Sequence, residues 1–204
     1  MTALYRKMFV LCATVLLYLT SGSHSAPLSC EELVRPLDQL EPHHLEGRWA
    51  LVAGSISNLT LVEIFKRRDS SGVDFTTHNG TFTASYTRNK REGDKCHYGP
   101  SNISFEGSTF TFDDESPANL TGTFLHTSCP DCLLMHFDVQ SKKRFHTYLF
   151  SKRRELEQKE MEEFKAQLEC LKMPPPVVMD PTKELCPEQT SSEPAAAQTD
   201  VDKT

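Results

Sequence analysis

The chain has 204 residues, of which 38% are hydrophobic and 25% are charged, and this composition excludes a multi-span membrane protein and a wholly disordered chain. Its 22 Lys and Arg against 28 Asp and Glu give a net charge of -6, which argues against nucleic acid as a partner. A chain of this length is expected to form one globular domain with a core of its own.

The N-terminus has the pattern of a secretory signal peptide. Arg6 and Lys7 precede a short apolar run over residues 8–19, and small residues follow it. The run is too short to span a bilayer, so we expect no stable membrane insertion. We predict cleavage after Ser25, which removes residues 1–25 and sends the protein to the extracellular fluid.

Six cysteines and four N-glycosylation sequons outside that peptide also fit an exported protein. An even number of cysteines suggests three disulfides, although the sequence alone leaves the pairing open. The close pair Cys129 and Cys132 has redox-motif spacing, but β-like segments flank it, and we favour a structural loop disulfide. Each sequon predicts a glycan that projects into solvent. The cysteines are Cys30, Cys96, Cys129, Cys132, Cys170 and Cys186, and the sequons begin at Asn58, Asn79, Asn102 and Asn119.

Residues 47–151 consist of short segments rich in Thr, Val, Phe and Tyr, separated by turn residues. This pattern is typical of an antiparallel sandwich or barrel. Asn79-Gly80 predicts a two-residue hairpin turn, because this dipeptide tolerates a positive φ. The predicted strands, enough to close on themselves, are 49–53, 61–67, 73–77, 81–88, 102–106, 109–113, 120–127, 133–139 and 144–150.

A helix is predicted over residues 154–172, which are rich in Glu, Lys and Gln. Met161, Phe164, Leu168 and Leu171 recur at helical spacing, so one stripe is expected to pack on the barrel wall. The prolines at 174–176 are expected to end the helix. The tail over 187–204 has almost nothing to bury and is expected to be disordered, which leaves 26–186 as the folded domain.

The β region opens with Gly47-Arg48-Trp49, and a Gly-x-Trp at this place in such a chain resembles the lipocalin family. In that family the Trp closes the bottom of the barrel near a basic residue, for which Arg144, Lys152 and Arg153 are all candidates. Within the family, the chain resembles the orosomucoid (alpha-1-acid glycoprotein) group. It is also similar to apolipoprotein M and to the plasma lipocalins that bind tributyltin or saxitoxin and tetrodotoxin. The segments that carry the orosomucoid resemblance are 136–139, 145–150, 162–164, 168–171 and 174–178.

The resemblance implies an all-β fold, an eight-stranded antiparallel up-and-down barrel with one C-terminal α-helix packed on the outside. It also implies the disulfides Cys30–Cys170 and Cys96–Cys186. The remaining pair, Cys129 with Cys132, departs from the two-disulfide orosomucoid pattern.

The function that the resemblance implies is that of a secreted, glycosylated plasma carrier. It would bind lipids, drugs, xenobiotics or toxins in the barrel cavity without changing them, and no cofactor is implied. Its partners would be a small hydrophobic or amphiphilic ligand and a cell-surface receptor, and the carrier is expected to be a monomer.

Side-chain alternation along the strands selects the candidate ligand-binding residues, because an eight-stranded barrel has room for one small ligand. If Asn102 and Asn119 lie in regular strand and carry glycans, their neighbours in sequence face the interior. Arg88 is a candidate counter-ion for an anionic ligand, with a solvated surface position as the alternative. The candidates are Phe105, Phe124, Met135, Phe137, Tyr148 and Phe150, of which the resemblance, not the alternation, places the last two.

Two other functions stay open. A lipocalin-type isomerase would use a free cysteine in the cavity as its nucleophile, and six paired cysteines leave none, so we expect no catalytic residue. An immune-modulating acute-phase glycoprotein would act through a receptor, and the sequence does not separate that role from transport. No metal site is expected at His43-His44, because no third ligand stands at a useful spacing.

Overall fold

The computed structural model describes residues 28–78, 81–113, 120–139 and 144–189. The predicted signal peptide, the sequon residues Asn79 and Asn119, and residues 190–204 of the predicted tail lie outside this part. The chain divides into two units, residues 1–32 and 33–204. In the first unit, the Ser29 backbone N–H donates to Oε2 of Glu32 at 2.9 Å. No helix within the described ranges is long and apolar enough to cross a membrane.

Eight antiparallel strands close into a barrel, in which each strand pairs with the next and β1 pairs with both β2 and β8. This architecture confirms the predicted lipocalin-like fold. A two-residue strand, β9, extends the sheet on the outside of β1. The elements are α1 (Cys30–Leu33), α2 (Pro42–Leu45), β1 (Gly47–Ile56), α3 (Leu59–Phe65), β2 (Ser70–Thr77), β3 (Thr83–Glu92), β4 (Lys95–Glu106), β5 (Thr109–Phe112), β6 (Thr121–Leu125), β7 (Cys132–Val139), β8 (Arg144–Ser151), α4 (Gln158–Cys170) and β9 (Val177–Val178).

The strand predicted over 61–67 is wrong, because residues 61–65 belong to helix α3 and residues 66 and 67 follow it in a turn. Asn58 starts the helix: its side-chain oxygen accepts from the backbone N–H groups of Thr60 and Leu61 at 3.0 and 3.4 Å. Leu61, Val62 and Phe65 lie on one side of this helix and pack against the barrel core. Their helical spacing was hidden by their high strand propensity.

The connection between β2 and β3 is also longer than predicted. The strand ladder ends at the pair Thr77 and Ala84, and residues 78–82 join the strands. The Thr81 backbone N–H donates to the His78 carbonyl at 3.1 Å, so a turn forms ahead of the ladder. The residues of the predicted turn, Asn79 and Gly80, lie outside the described residues, so the turn type stays a prediction.

Two apolar clusters occupy opposite faces of the same strands. On β7, Met135 belongs to the cluster inside the barrel, whereas its neighbour Leu134 belongs to a cluster outside it, under α4. We call these the interior cluster and the helix cluster. In the helix cluster, Phe164 and Leu168 are each 1% exposed, and Met161 and Leu171 pack at its margin. The predicted stripe therefore does face the barrel wall.

Helix α4 is shorter than predicted at both ends, and the prolines do not end it. It ends because Lys172 adopts a left-handed backbone with φ of 56°. The backbone N–H groups of Lys172 and Met173 donate back to the carbonyls of Glu169 and Leu168 at 3.0 and 2.9 Å. This pair of bonds is a Schellman motif, which satisfies the last carbonyls before the prolines are reached.

Trp49 is buried at the end of the barrel where β1 begins, and Lys152 is its basic neighbour. The Trp49 side chain is 5% exposed, and its indole N–H donates to the Leu45 carbonyl at 2.7 Å. The Lys152 ammonium lies 4.0 Å from the indole ring centre. Arg153 pairs instead with Asp131 at 2.7 Å. Gly47, just before Trp49, has φ of 87°, a conformation that favours glycine.

Candidate functional site

The interior of the barrel changes from apolar to polar along its axis. The inward face of β8 carries Phe150, Tyr148, His146 and Arg144, in order from the Trp49 end towards the opposite end, which we call the mouth. Phe150 and Tyr148 belong to or pack against the interior cluster. The same strand thus supplies an aromatic floor and a nitrogen-rich rim.

All six residues that the sequence suggested for ligand binding lie in or against the interior cluster. The residues that alternate with them in sequence face outward, and of these Leu125 and Leu149 belong to the helix cluster. Tyr148 is half-buried, while the other five are buried. They are Phe105, Phe124, Met135, Phe137, Tyr148 and Phe150.

Five further aromatic side chains in this cluster escaped the sequence analysis. Phe110 is central among them, since its ring centre lies 4.9 Å from that of Phe124 and 5.4 Å from that of Phe137. The alternation of Thr109, Phe110 and Thr111 was a usable signal for β5. Phe65 was missed because its segment was predicted as a strand. The five are Phe65, Phe75, Tyr86, Phe110 and Phe112.

Helix α3 brings Phe65 to the mouth, and a glycine makes room for it. The ring centres of Phe65 and Tyr148 lie 5.8 Å apart in a stacked arrangement. A Cβ atom on Gly54 would lie 2.7 Å from Tyr148 Cδ1 and 2.8 Å from Phe65 Cζ, closer than real Cβ contacts. Only glycine at this position lets both rings lie flat against β1.

Three buried nitrogen atoms near the mouth have no hydrogen-bond partner in the described structure. They are Nε of Arg68, Nε of Arg144 and Nε2 of His146. The Arg68 guanidinium lies 5.0 Å from the centre of the Phe65 ring. Buried donors without partners are rare, because each costs about 1–3 kcal/mol.

His146 and Tyr148, which lie among these nitrogens, stay uncharged at neutral pH. Burial, with the positive charges of Arg144, Arg68 and His136, lowers the pKa of His146 to about 4. The Tyr148 hydroxyl lies 3.2 Å from His146 Nδ1, and burial raises the pKa of Tyr148 to about 12. A neutral His146 that accepts from Tyr148 at Nδ1 carries its proton on Nε2, where it is an unused donor.

Arg88 extends the positive charge across the barrel. It is exposed, and its side chain lies over Gly99, where a Cβ would come within 2.6 Å of Arg88 Nε. Its charge nevertheless opposes the rise in pKa that burial causes at Tyr86 and Tyr148. The two alternatives for Arg88 are therefore not exclusive, because the side chain is solvated and still acts on the interior.

Residues 36–189 match the family model of the ApoM domain, a lipocalin family. The chain belongs to the ApoM domain family. No curated protein matches the chain. The likeness to orosomucoid in particular stays a prediction. The ApoM domain and the barrel suggest binding of small lipophilic ligands, and the aromatic floor suits such a ligand.

The disulfides of this ApoM domain bear on its chemistry. Cys96 is bonded to Cys186, and Cys129 to Cys132. Cys30 and Cys170 are each disulfide-bonded as well, and their predicted pairing with one another stays a prediction. Every cysteine in the described ranges is therefore oxidised, so those ranges offer no thiol nucleophile of the kind that the isomerase alternative needs.

Two of the four sequons lie within the described residues. Asn102 is exposed on the outer face of β4, and its side-chain oxygen lies 3.2 Å from the Ser85 hydroxyl. Asn58 caps α3 through its side-chain oxygen. A glycan is attached to the amide nitrogen, so the cap at Asn58 and a glycan are compatible.

Proposed function

We propose that this ApoM domain protein is a secreted, glycosylated carrier that binds one small amphiphilic molecule with an acidic group. The apolar part of the ligand lies on the interior cluster. The acidic group lies at the mouth, where Arg68, Arg144 and His146 have unpartnered buried N–H donors. These three donors are the observation that carries the proposal, because acceptor atoms of a ligand would satisfy them.

The charges around the mouth favour an acid over a neutral molecule. The positive charges of Arg68 and Arg88 both oppose the rise in the pKa of Tyr148 that burial causes, so the electrostatic potential at Tyr148 favours a negative group. Hydrogen bonds to charged groups contribute about 1.5–3 kcal/mol each, which corresponds to roughly tenfold or more in affinity. Fatty acids, acidic lipids, and drugs, xenobiotics or toxins with an acidic group all meet this description.

Export and glycosylation rest on the sequence. The basic and apolar start of the chain fits a signal peptide, and oxidised cysteines fit a compartment outside the cytosol. Glycans at Asn58, Asn79, Asn102 and Asn119 would make the mature protein run above its sequence mass on a denaturing gel. Unchanged mobility after enzymatic deglycosylation would contradict this part of the proposal.

The acidic-group preference is tested with a long-chain fatty acid and its methyl ester, which share a chain but differ in charge. Both displace a fluorescent apolar probe, and the acid is expected to bind more tightly than the ester. Arg68→Gln is expected to remove most of that preference. Arg67→Gln is the matched control, because Arg67 is the exposed neighbour in sequence.

Two outcomes would overturn the proposal. Equal binding of acid and ester to the wild type would show that the ligand needs no acidic group. Failure of both to displace the probe would show that the cavity does not bind such amphiphiles. Loss of the preference in Arg67→Gln as well would show an effect of general surface charge. Mass spectrometry of organic extracts from the protein in its native fluid then identifies the natural ligand.

A further inference from the structure

The segment before the barrel brings two imidazoles to one carboxylate oxygen. Oε2 of Glu41 lies 3.3 Å from Nε2 of His43 and 3.5 Å from Nε2 of His44. All three atoms lie within 4.8 Å of one another. The sequence alone indicated no third metal ligand at a useful spacing from the two histidines. Glu41 supplies it, because the short helix α2 brings the preceding residue onto the same side as both rings.

These separations match those between ligands of one tetrahedral zinc ion. Zinc lies about 2.0–2.2 Å from imidazole nitrogen and carboxylate oxygen, so two tetrahedral ligands of one ion are about 3.3–3.5 Å apart. The distances from Glu41 to the two rings fall in this interval. The ligand nitrogens of His43 and His44 lie within 4.8 Å of one another, so one ion contacts all three ligands once the two rings move together, with water as the fourth ligand.

The backbone that follows these ligands is anchored at the Trp49 end of the barrel. Leu45 is fully buried, and its carbonyl accepts from the Trp49 indole at 2.7 Å. The Glu46 carboxylate accepts from the Thr77 backbone N–H at 2.7 Å, and its carbonyl accepts from Lys152 at 2.9 Å. These contacts anchor the C-terminal end of α2, which lowers the backbone entropy lost when an ion binds.

The ligand types select the class of metal. Two imidazoles and one carboxylate suit zinc, copper and nickel ions, whereas magnesium and calcium prefer oxygen ligands alone. The side chains of Glu41, His43 and His44 are 55%, 70% and 69% exposed, so an ion reaches them without opening the fold.

We propose that Glu41, His43 and His44 bind one divalent transition-metal ion of the zinc class at the Trp49 end of the barrel. The ion joins Glu41, which immediately precedes α2, to His43 and His44 within the helix. The site lies at the opposite end from the mouth, so it is independent of the proposed carrier function.

The proposal is tested by titrating zinc into the metal-free full chain and following the heat of binding. We expect one ion per chain, a higher unfolding temperature with zinc, and no comparable binding of magnesium. Glu41→Gln and His44→Gln are each expected to weaken zinc binding by roughly tenfold or more. His78→Gln, at another exposed histidine, is the matched control and is expected to bind as the wild type does.

A structural readout separates this site from adventitious binding. In NMR spectra, zinc is expected to shift the imidazole signals of His43 and His44 together, at one equivalent. Circular dichroism verifies that each variant is folded. Zinc affinity that is unchanged in both Glu41→Gln and His44→Gln, or shifts confined to other histidines, would overturn the proposal. Fatty-acid binding is expected to be the same with and without zinc, so failure here leaves the carrier function untouched.

Discussion

The interior cluster and the helix cluster are built from alternate residues of the same two strands, yet they differ in kind. Leu134 and Leu149 face outward and meet Phe164 and Leu168 of α4 in an apolar interface. On the other face, the half-buried Tyr148 leads to the buried, unpartnered nitrogen of His146. The interior face thus leads to an unsatisfied polar atom, whereas the described residues of the helix cluster contain none.

The largest expected effect on stability belongs to the helix cluster. Leu168→Ala is expected to lower the free energy of unfolding by about 2–5 kcal/mol, because Leu168 is buried against strands on one side and its own helix on the other. The affinity for an apolar probe should not change. Denaturant unfolding and probe titration measure the two effects. Leu59→Ala is the control, since Leu59 is 73% exposed.

Substitutions in the interior cluster are expected to have the opposite pattern, with a small loss of stability and a large loss of probe affinity. Tyr148→Ala and Phe137→Ala should cost less stability than Leu168→Ala and more probe affinity, because a ligand covers these rings when it is bound. Phe137 is the stricter test, since it is 4% exposed and lies 5.4 Å from Phe110, ring centre to centre. Stability losses as large as for Leu168→Ala, with unchanged affinity, would show that both aromatics are ordinary core.

A polar contact at the edge of the helix cluster gives a smaller effect. Gln167 is 1% exposed, and its amide N–H groups donate to the carbonyls of Leu33 and His126 at 2.9 and 2.8 Å. Gln167→Ala leaves both carbonyls without this donor and should cost about 1–3 kcal/mol. Gln158→Ala, an exposed position on the same helix, is the control. Equal unfolding midpoints for the two variants would contradict this prediction.

Most of the fold was predictable because alternation is a strong local signal. Eight of the predicted strands overlap β1 to β8, and six interior residues were found from alternation and resemblance. Helix α3 was not predictable in this way, because Leu61, Val62 and Phe65 have the composition of a strand. Only the cap at Asn58 distinguishes this helix from a strand.

The polar residues at the mouth were not predictable, because the spacing of residues in the sequence does not show which side chains meet there. Arg68 reaches the mouth from the end of the α3 connection, and Arg88 acts on Tyr148 across the barrel. Such neighbours are brought together by closure of the sheet, which also placed Lys152 rather than Arg144 or Arg153 beside Trp49. Pairings across a closed barrel therefore have to be seen in the structure.

A further expected effect is a pH dependence that the interior has and the helix cluster lacks. Burial and the charges of Arg144, Arg68 and His136 lower the pKa of His146 from 6.5 to about 4. Between these values the unfolded chain binds a proton at this residue and the folded protein does not. Stability from His146 is therefore fully present above about pH 6.5, falls as the pH drops towards about 4, and changes no further below it.

The pH dependence of His146 is isolated by comparing the wild type with His146→Gln, which keeps a polar side chain but does not titrate. Burial also lowers the pKa of His136, which acts in the same direction and is present in both proteins. Denaturant unfolding at pH 7.5 and pH 4.5 should show a larger loss for the wild type, because only it binds the extra proton on unfolding. Equal losses would mean that His146 is already solvated in the folded protein, and the mouth would then lack one of its three unsatisfied donors.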